Sequence, residues 1–355
     1  MGEKVFIQGN VALAESAIRC GCKYYFGYPI TPASEILEYY AAKMPEENGV
    51  FIQAETEVSA SNMVAGVAAT GKRAMMATSG PGISLGAEAI SYMCSAQLPA
   101  VLVNVMRPGP GDGDIVACQG DYFQAVKGAG HGDYNNIVLA PYSVQEMVDF
   151  APLAFELADK YRNPVLILSD GGLAKVMESA ELPDRTTPDS NFDWALTGAR
   201  NRKANVITTC AKSPKQWEGY NLILQEKFAE MKDAEQRWES YETEDAGLII
   251  VAFGITARIA FSAVRIAREN NMKVGMIRPI TLWPFPEKAF KGNEDKYFLV
   301  SELNAGQMVE DVKLSVNDKR KVSFYGRLGG MTPTPKELYN EICNLYEKHM
   351  TCTNV

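Results

Sequence analysis

The chain has 355 residues, 46% of them hydrophobic and 22% charged, with a formal net charge of −8. At roughly 150 residues per domain this length points to two domains, each with enough apolar material for a core. The negative balance removes the phosphate-neutralising surface that nucleic-acid binding needs and offers no attraction to an anionic membrane, so neither is expected as a partner.

The N-terminal residues Met1-Gly2-Glu3-Lys4-Val5-Phe6 lack a basic region followed by an apolar run, so no secretory signal is read and a cytoplasmic location is expected. From residue 1 to about 172, short apolar runs alternate with helical patterns. Strands are expected at 24–28, 50–54, 74–78, 100–105, 137–140 and 165–169, with helices between them, the signature of βαβ units and a mainly parallel sheet. The longest charge-free stretch, 89–106, is interrupted by Ser91, Ser95, Gln97, Pro99 and Asn104. It reads as a buried helix followed by a buried strand rather than a membrane span. Gly71 sits where the helix before strand 74–78 should end, and Ser143-Val144-Gln145-Glu146 reads as a capping box opening a helix to about Tyr161. Residues 173–245 turn polar, with Pro183, Pro188 and Pro214 and a charged stretch at 225–244 that predicts one long helix. The alternation then returns, with strands at 248–253, 273–278, 297–301 and 322–325 and a terminal helix capped by Thr334-Pro335-Lys336-Glu337.

Only two histidines, His131 and His349, are present, so a His-rich metal site or a histidine-led triad has little to work with. The cysteines Cys20, Cys22, Cys94, Cys118, Cys210, Cys343 and Cys352 are scattered and form no iron–sulfur ligand run, so most are read as free, buried thiols.

Five segments are candidates for chemistry. Tyr28-Pro29-Ile30-Thr31-Pro32 lies at the carboxyl end of a strand, where open α/β sheets place ligands; it reads equally as a helix start whose prolines stop the strand. Glu55 and Glu57 open a helix rich in small residues. They either serve the helix dipole or, beside the close approach that Ala65-Gly66 permits, handle a proton. Ser79-Gly80-Pro81-Gly82-Ile83-Ser84-Leu85-Gly86 follows a strand as a phosphate loop would, but its spacing is not G-x-G-x-x-G and no acidic residue closes the next strand near Val105. Arg107 ends a strand, where a fixed guanidinium takes either a substrate carboxylate or a structural counter-ion. Gly111-Asp112-Gly113 with Asn135-Asn136 is similar to the signature by which thiamine enzymes hold Mg²⁺ and diphosphate. The 21 intervening residues are too few for it, and 108–114 reads equally as a flexible loop.

Tyr28-Pro29-Ile30-Thr31-Pro32, Glu57 with Gly66 and Gly71, Ser79-Gly80-Pro81-Gly82, Arg107, Gln119-Gly120-Asp121, Ser169-Asp170-Gly171 and Glu302-Leu303-Asn304-Ala305-Gly306-Gln307 together resemble, in that order, the α chain of the 2-oxoacid:ferredoxin oxidoreductases. The resemblance covers essentially the whole chain, including Arg278-Pro279 and Trp283-Pro284-Phe285-Pro286. With Gly128-Ala129-Gly130-His131-Gly132-Asp133-Tyr134 and the chain length, it is greatest to members acting on branched-chain 2-oxoacids (3-methyl-2-oxobutanoate).

The resemblance implies an α/β fold: a thiamine diphosphate pyrimidine-domain-like, doubly wound parallel sheet at 1–190, a linker with a long helix at 191–245, and a smaller transketolase C-terminal-like α/β domain at 246–355. It implies oxidative decarboxylation of a 2-oxoacid to acyl-CoA and CO₂, with two electrons passed to ferredoxin. It implies a thiamine diphosphate site shared with a β subunit that carries the diphosphate and Mg²⁺, beside a γ subunit and a ferredoxin-like subunit holding iron–sulfur clusters, with coenzyme A and the 2-oxoacid as substrates. Glu57 then matches the glutamate set against the pyrimidine nitrogen, with Glu55 two residues out of register. Thr31 matches the threonine near the reacting carbonyl and Arg107 the arginine near the substrate carboxylate. Pro29, Ile30, Gly66, Ser79 and Gly80 join Glu57 as cofactor contacts, and no metal ligand is assigned to this chain. Three readings stay beside it: pyruvate or 2-oxoglutarate as substrate, a two-domain NAD(P)-dependent dehydrogenase suggested by Gly80-Pro81-Gly82, and a noncatalytic scaffold subunit.

Overall fold

The central apolar runs form strands because side chains without polar atoms pack on both of their faces, whereas strands at the sheet edges, such as Val50–Gln53, stay partly exposed. The computed structural model describes residues 3–188 and 192–351. In chain order, β1 (Glu3–Gln8), α1 (Gly9–Arg19), β2 (Tyr24–Gly27), α2 (Ser34–Lys43), β3 (Val50–Gln53), α3 (Glu57–Ala68), β4 (Ala74–Thr78), α4 (Pro81–Ser95) and β5 (Val101–Met106) alternate regularly. A long loop then carries α5 (Tyr122–Val126), and β6 (Ile137–Leu139), α6 (Val144–Tyr161), β7 (Val165–Asp170), α7 (Gly171–Lys175) and β8 (Met177–Leu182) follow. The second unit comprises α8 (Pro214–Ala234), β9 (Trp238–Tyr241), β10 (Leu248–Val251), α9 (Gly254–Glu269), β11 (Val274–Pro279), β12 (Thr281–Trp283), β13 (Tyr297–Glu302), α10 (Met308–Leu314), β14 (Val322–Gly326) and α11 (Pro335–Tyr346).

Two principal sheets result, a seven-stranded one in the order β12-β6-β7-β5-β4-β2-β3 and a five-stranded one in the order β14-β13-β10-β11-β9; β1 and β8 make a separate antiparallel ribbon. The long sheet is parallel except for β12, which runs antiparallel to β6, Thr281 opposite Leu139 and Trp283 opposite Val138. The two faces of its strands feed different cores. Tyr25, Met75, Val103 and Ile167 pack with α1, α2, α6 and α8. Phe26, Met76, Leu102 and Leu166 pack with α3 and α4, and that apolar cluster continues into the second unit through Ile249, Val251, Phe253 and Phe298. The far face of the five-stranded sheet packs on α9 and α11.

Local expectations meet tertiary demands at three places. The long helix is α8, starting at Ser213, whose side chain caps it with Pro214 in the first position, and ending at Ala234; residues 238–241 within the charged stretch form β9, paired antiparallel to β11. The capping box at Ser143 is half made: Ser143 Oγ accepts from the Glu146 N–H at 3.1 Å, but the Glu146 carboxylate takes the Tyr142 N–H at 3.0 Å and the Arg278 guanidinium at 2.7 and 2.9 Å. A buried cation outcompetes a local cap because its alternative is an unpaired charge in the interior. At Thr334 both halves of the box are present. Cys20, Cys22, Cys94 and Cys118 are buried free thiols, Cys210 is exposed and Cys343 is half-buried; Cys352 lies outside the described residues. Among the described residues no helix is long and apolar enough to cross a membrane.

Candidate active site

Chain order reverses about β2, which hydrogen-bonds β3 on one side and β4 on the other, so the loops leaving β2 and β4 diverge and open a crevice at the carboxyl edge of the sheet. The β2 loop carries Tyr28-Pro29-Ile30-Thr31-Pro32, with Tyr28 and Pro29 exposed and Thr31 half-buried. It is anchored from behind by Asn10, whose Nδ2 donates to the Pro32 carbonyl at 2.7 Å.

Glu57 is the first residue of α3. Thr56 caps that helix by accepting from the Ser59 N–H, and Ser59 Oγ donates in turn to Glu55 Oε1 at 2.7 Å. The two glutamates are thereby separated: Glu55 is exposed and satisfied, whereas Glu57 is only 5% exposed and its carboxylate has no hydrogen-bond partner among the described residues. It lies against Gly82 in the first turn of α4, where a Cβ would stand 2.5 Å from Glu57 Oε1 and would also collide with Thr78 Oγ1. Gly82 is glycine because that space belongs to the carboxylate.

The next link is Gly80, the N-cap of α4, held at φ +41°, which L side chains rarely adopt. A Cβ there would meet the stem of Arg107, 3.5 Å from its Cγ. Arg107 leaves the end of β5 with its side chain 11% exposed and donates through Nη1 to the Thr31 carbonyl at 3.0 Å. Its Nη2 lies 3.6 Å from Asp112 Oδ1, and its Nε is buried without a partner. Contacts thus join Thr31 to Arg107, Arg107 to Gly80 and Glu57 to Gly82, which brings these residues together at one edge of the sheet, with the wholly buried Ser79 next to Gly80 in the chain. Thr78 Oγ1, Ser79 Oγ, Asn104 Oδ1 and Arg107 Nε are all buried and unpaired at the ends of β4 and β5. Such groups cost roughly 1–3 kcal/mol each when left unsatisfied, which makes this edge of the sheet the candidate place for a polar ligand.

Gly66 does not join this group. It lies nine residues beyond Glu57, about two and a half helical turns, which places it on the opposite side of α3; a Cβ there would meet nothing within 4 Å. The open space around Gly66 faces outward. Glycines 80 and 82 are taken up by Arg107 and Glu57, which leaves no free nest for a dinucleotide pyrophosphate. Asp112 and Asn136 do not act as a pair: Asp112 faces Arg107 and Asn136 Oδ1 accepts from Asn163 at 3.2 Å. Among the described residues no group of three or more His, Cys, Asp or Glu side chains is placed to hold a metal ion.

The remaining motifs form the support behind Arg107. Asn104 Nδ2 donates to Asp121 Oδ2 at 3.0 Å; burial pushes the Asp121 carboxyl up, against the pull of Asn104 and of Arg107's charge. The loop bearing Asp121 is docked on the second unit. Gln119 accepts at Oε1 from the Thr256 hydroxyl and the Leu303 N–H at 2.8 and 3.0 Å, and Gln307 Nε2 donates to the Gly120 carbonyl at 2.7 Å. Glu302 accepts from the N–H groups of Met308 and Val309 at 2.8 and 3.0 Å, a carboxylate at the start of α10. Asp170 caps α7 through Gly172 and Leu173 at 2.9 and 3.0 Å and takes the Ile255 N–H of α9 at 3.3 Å. Asp121 and Thr78 are parts of the site that no spacing rule singles out, and Gly82 reads from the sequence as part of a phosphate loop rather than as the seat of Glu57. The signal available for Asp121 was its place in the Gln119-Gly120-Asp121 motif.

The model of the pyruvate flavodoxin/ferredoxin oxidoreductase thiamine diphosphate-binding family matches residues 15–243, and that of pyruvate:ferredoxin oxidoreductase core domain II matches residues 246–338. The chain is 48% identical over 329 residues to the ketoisovalerate oxidoreductase subunit VorB of Methanothermobacter marburgensis, covering 91% of this chain and 93% of that one. It is 34% identical over 380 residues to the 2-oxoglutarate synthase subunit KorA of Methanothermobacter thermautotrophicus, covering 97% and 100%. Among solved structures it is similar to a 2-oxoglutarate:ferredoxin oxidoreductase from Magnetococcus marinus with 2-oxoglutarate, coenzyme A and succinyl-CoA bound, at TM-score 0.87 and 28% identity. That match covers 97% of this chain and spans 65% of the other. A split-gene transketolase matches at TM-score 0.59 and 14% identity, a likeness of fold alone.

Proposed function

The chain belongs to the pyruvate flavodoxin/ferredoxin oxidoreductase family, and from that premise we propose that it is the thiamine-site subunit of a complex converting 3-methyl-2-oxobutanoate and coenzyme A to the acyl-CoA and CO₂, with two electrons passing to ferredoxin. The substrate follows the 48% identity to the ketoisovalerate subunit against 34% to the 2-oxoglutarate subunit. 2-Oxoglutarate is the second reading.

The observation that carries the proposal is the buried Glu57 carboxylate, with no hydrogen-bond partner among the described residues, close to the unpaired Thr78 hydroxyl and linked through the turn at 79–82 to Arg107. A set of one carboxylate and two hydroxyls suits the nitrogen-rich pyrimidine of thiamine diphosphate, and the glycines at 80 and 82 let Arg107 and Glu57 take their places beside it. The bound cofactor supplies a nucleophilic carbon and takes up the electron pair released with CO₂. Glu57 holds a proton at the pyrimidine nitrogen, and its burial keeps water from competing for it. Pro29 and Ile30 shape the loop against the ring. Thr31 stands beside the reacting carbonyl, and Arg107, anchored on the Thr31 backbone, receives the carboxylate that every 2-oxoacid shares. In this reading the diphosphate and Mg²⁺ sit on a β subunit, the clusters on a ferredoxin-like subunit, and a γ subunit completes the complex.

The test is Glu57→Gln in the assembled complex. The side chain is isosteric, so folding should persist while cofactor C2-proton exchange and turnover fall by roughly 10²–10⁴-fold, the usual worth of a positioned acid–base group. Parental turnover in Glu57→Gln together with loss of activity in Glu55→Gln would transfer the role to Glu55.

A further inference from the structure

The loop that follows Arg107 ends in a contact that the proposed reaction has to undo. Asp112 Oδ1 lies 3.6 Å from Arg107 Nη2, although the Asp112 side chain is fully exposed to water. Among the described residues it is the guanidinium's one carboxylate neighbour within ion-pair distance; Nη1 is bound to the Thr31 carbonyl and Nε is buried without a partner. The one described carboxylate within ion-pair distance of Arg107 therefore comes from the tip of a loop, at a distance too long for a hydrogen bond, while Asp121 acts on Arg107 at longer range.

The backbone shows how the tip gets there. Gly111 and Gly113 have φ of +74° and +57°, and a Cβ at Gly113 would collide with the Pro108 carbonyl, so the chain folds back tightly over its own start. One backbone bond, Asp114 N–H to the Pro108 carbonyl at 3.3 Å, closes the turn. The base is fixed: a Cβ on Gly330 of the second unit would stand 3.2 Å from Pro108 Cγ and would collide with Val116, and one on Gly171 would stand 2.8 Å from the Val116 carbonyl. The tip has no such support, since among the described residues the Asp112 side chain has no ion-pair or hydrogen-bond partner besides Arg107.

We propose that Asp112 is a displaceable internal carboxylate: it occupies Arg107 in the substrate-free site and is exchanged for the carboxylate of the 2-oxoacid. This rests on the reading of Arg107 as the carboxylate receptor. The exchange is like for like in charge, so no buried cation is left bare at any stage. It favours the substrate because a paired, short, charge-assisted contact replaces a long, solvated one. Asp112 acts through Arg107 and is a positioning residue, and its competition is the same for every 2-oxoacid.

The test is steady-state kinetics of the assembled complex with Asp112→Asn, Arg107→Ala and the double variant, on 3-methyl-2-oxobutanoate, pyruvate and 2-oxoglutarate. Removing an exposed competing charge should lower KM about two- to five-fold on all three acids with kcat unchanged, the range expected of a solvated ion pair. In the Arg107→Ala background Asp112→Asn should do nothing further. A raised KM in Arg107→Ala with an unchanged KM in Asp112→Asn overturns this proposal alone. An unchanged KM in Arg107→Ala removes the receptor and the proposal with it. A fall in kcat of Asp112→Asn that extra Mg²⁺ partly restores overturns it in favour of a cation-binding role. Because the Asp112 side chain is fully exposed, misfolding does not confuse these outcomes.

Discussion

Replacing Gly82 by alanine introduces one methyl group into the space that Glu57 occupies. At most helical positions this change is favourable, by up to about 1 kcal/mol. Here the new Cβ would stand 2.5 Å from Glu57 Oε1, against about 3.4 Å for an ordinary contact, so the carboxylate must retreat by about 0.9 Å. The Thr78 hydroxyl must also rotate, which loses no hydrogen bond because it has none. Overpacking costs about 1–3 kcal/mol, which the helix preference partly offsets, so the chain should fold with a modestly lowered melting temperature. Catalysis should suffer more, because a misplacement of about 1 Å costs on the order of 10²-fold. Turnover of the assembled complex, measured by viologen reduction for Gly82→Ala, Glu57→Gln and the pair, reports on both. The double variant should be little worse than Glu57→Gln alone, since the methyl acts by moving a group already disabled. Parental turnover in Gly82→Ala, or a double variant whose loss is the product of the two, would refute the idea that Gly82 exists to seat Glu57.

Arg107→Ala should raise KM in parallel for 3-methyl-2-oxobutanoate, pyruvate and 2-oxoglutarate, by roughly 10- to 150-fold as a lost charge-assisted bond of about 1.5–3 kcal/mol implies; a change confined to one acid would place Arg107 at the substrate side chain. The isolated chain given thiamine diphosphate, Mg²⁺, coenzyme A, 2-oxoacid and viologen should reduce no dye and should do so once its partner subunits are added. Dye reduction by the chain alone would refute the shared site. Burial pushes the Asp170 carboxyl up to about 6, above the ordinary aspartate value of about 3.9. Because the folded state favours the protonated form, that contribution to stability is full below about pH 4 and lost as pH rises through 6. Asp170→Asn keeps an acceptor for Gly172 and Leu173 but does not titrate. Its stability relative to the parent should therefore rise by about 2–3 kcal/mol between pH 4 and pH 8 in urea denaturation, and a constant difference would show that Asp170 is not strained when charged.

Much of the sheet was legible because buried parallel strands are nearly unbroken apolar runs: 74–78 and 137–140 could be read without their neighbours. Strands that owe their form to a partner were not. Trp238–Tyr241 and Thr281–Trp283 are short edge strands, extended because β11 and β6 offer hydrogen bonds, and Glu3–Gln8 is a strand because β8 pairs with it. Ser213-Pro214 marked the start of α8, but the charge density further on drew the expected helix about ten residues late. Within the site, the register of Glu57 and the strand-end position of Arg107 were readable. That Gly66 turns away follows only from counting turns along α3, and the meeting of Asp112 with Arg107 depends on backbone angles at Gly111 and Gly113 that no spacing encodes.

The antiparallel strand β12 belongs by sequence to the second unit and by hydrogen bonding to the first sheet. Like a thumb hooked over the rim of a neighbouring cup, it covers the rim strand β6, whose residues Ile137, Val138 and Leu139 are wholly apolar and buried. A chain cut after residue 245 would present that strand bare, a template for adhesion to other chains, while losing the far half of the cluster that runs from Phe26 to Phe298. The two units are therefore not separable parts joined by a tether. Their seam is woven through a sheet and one shared apolar cluster, so the two units should unfold together rather than one after the other.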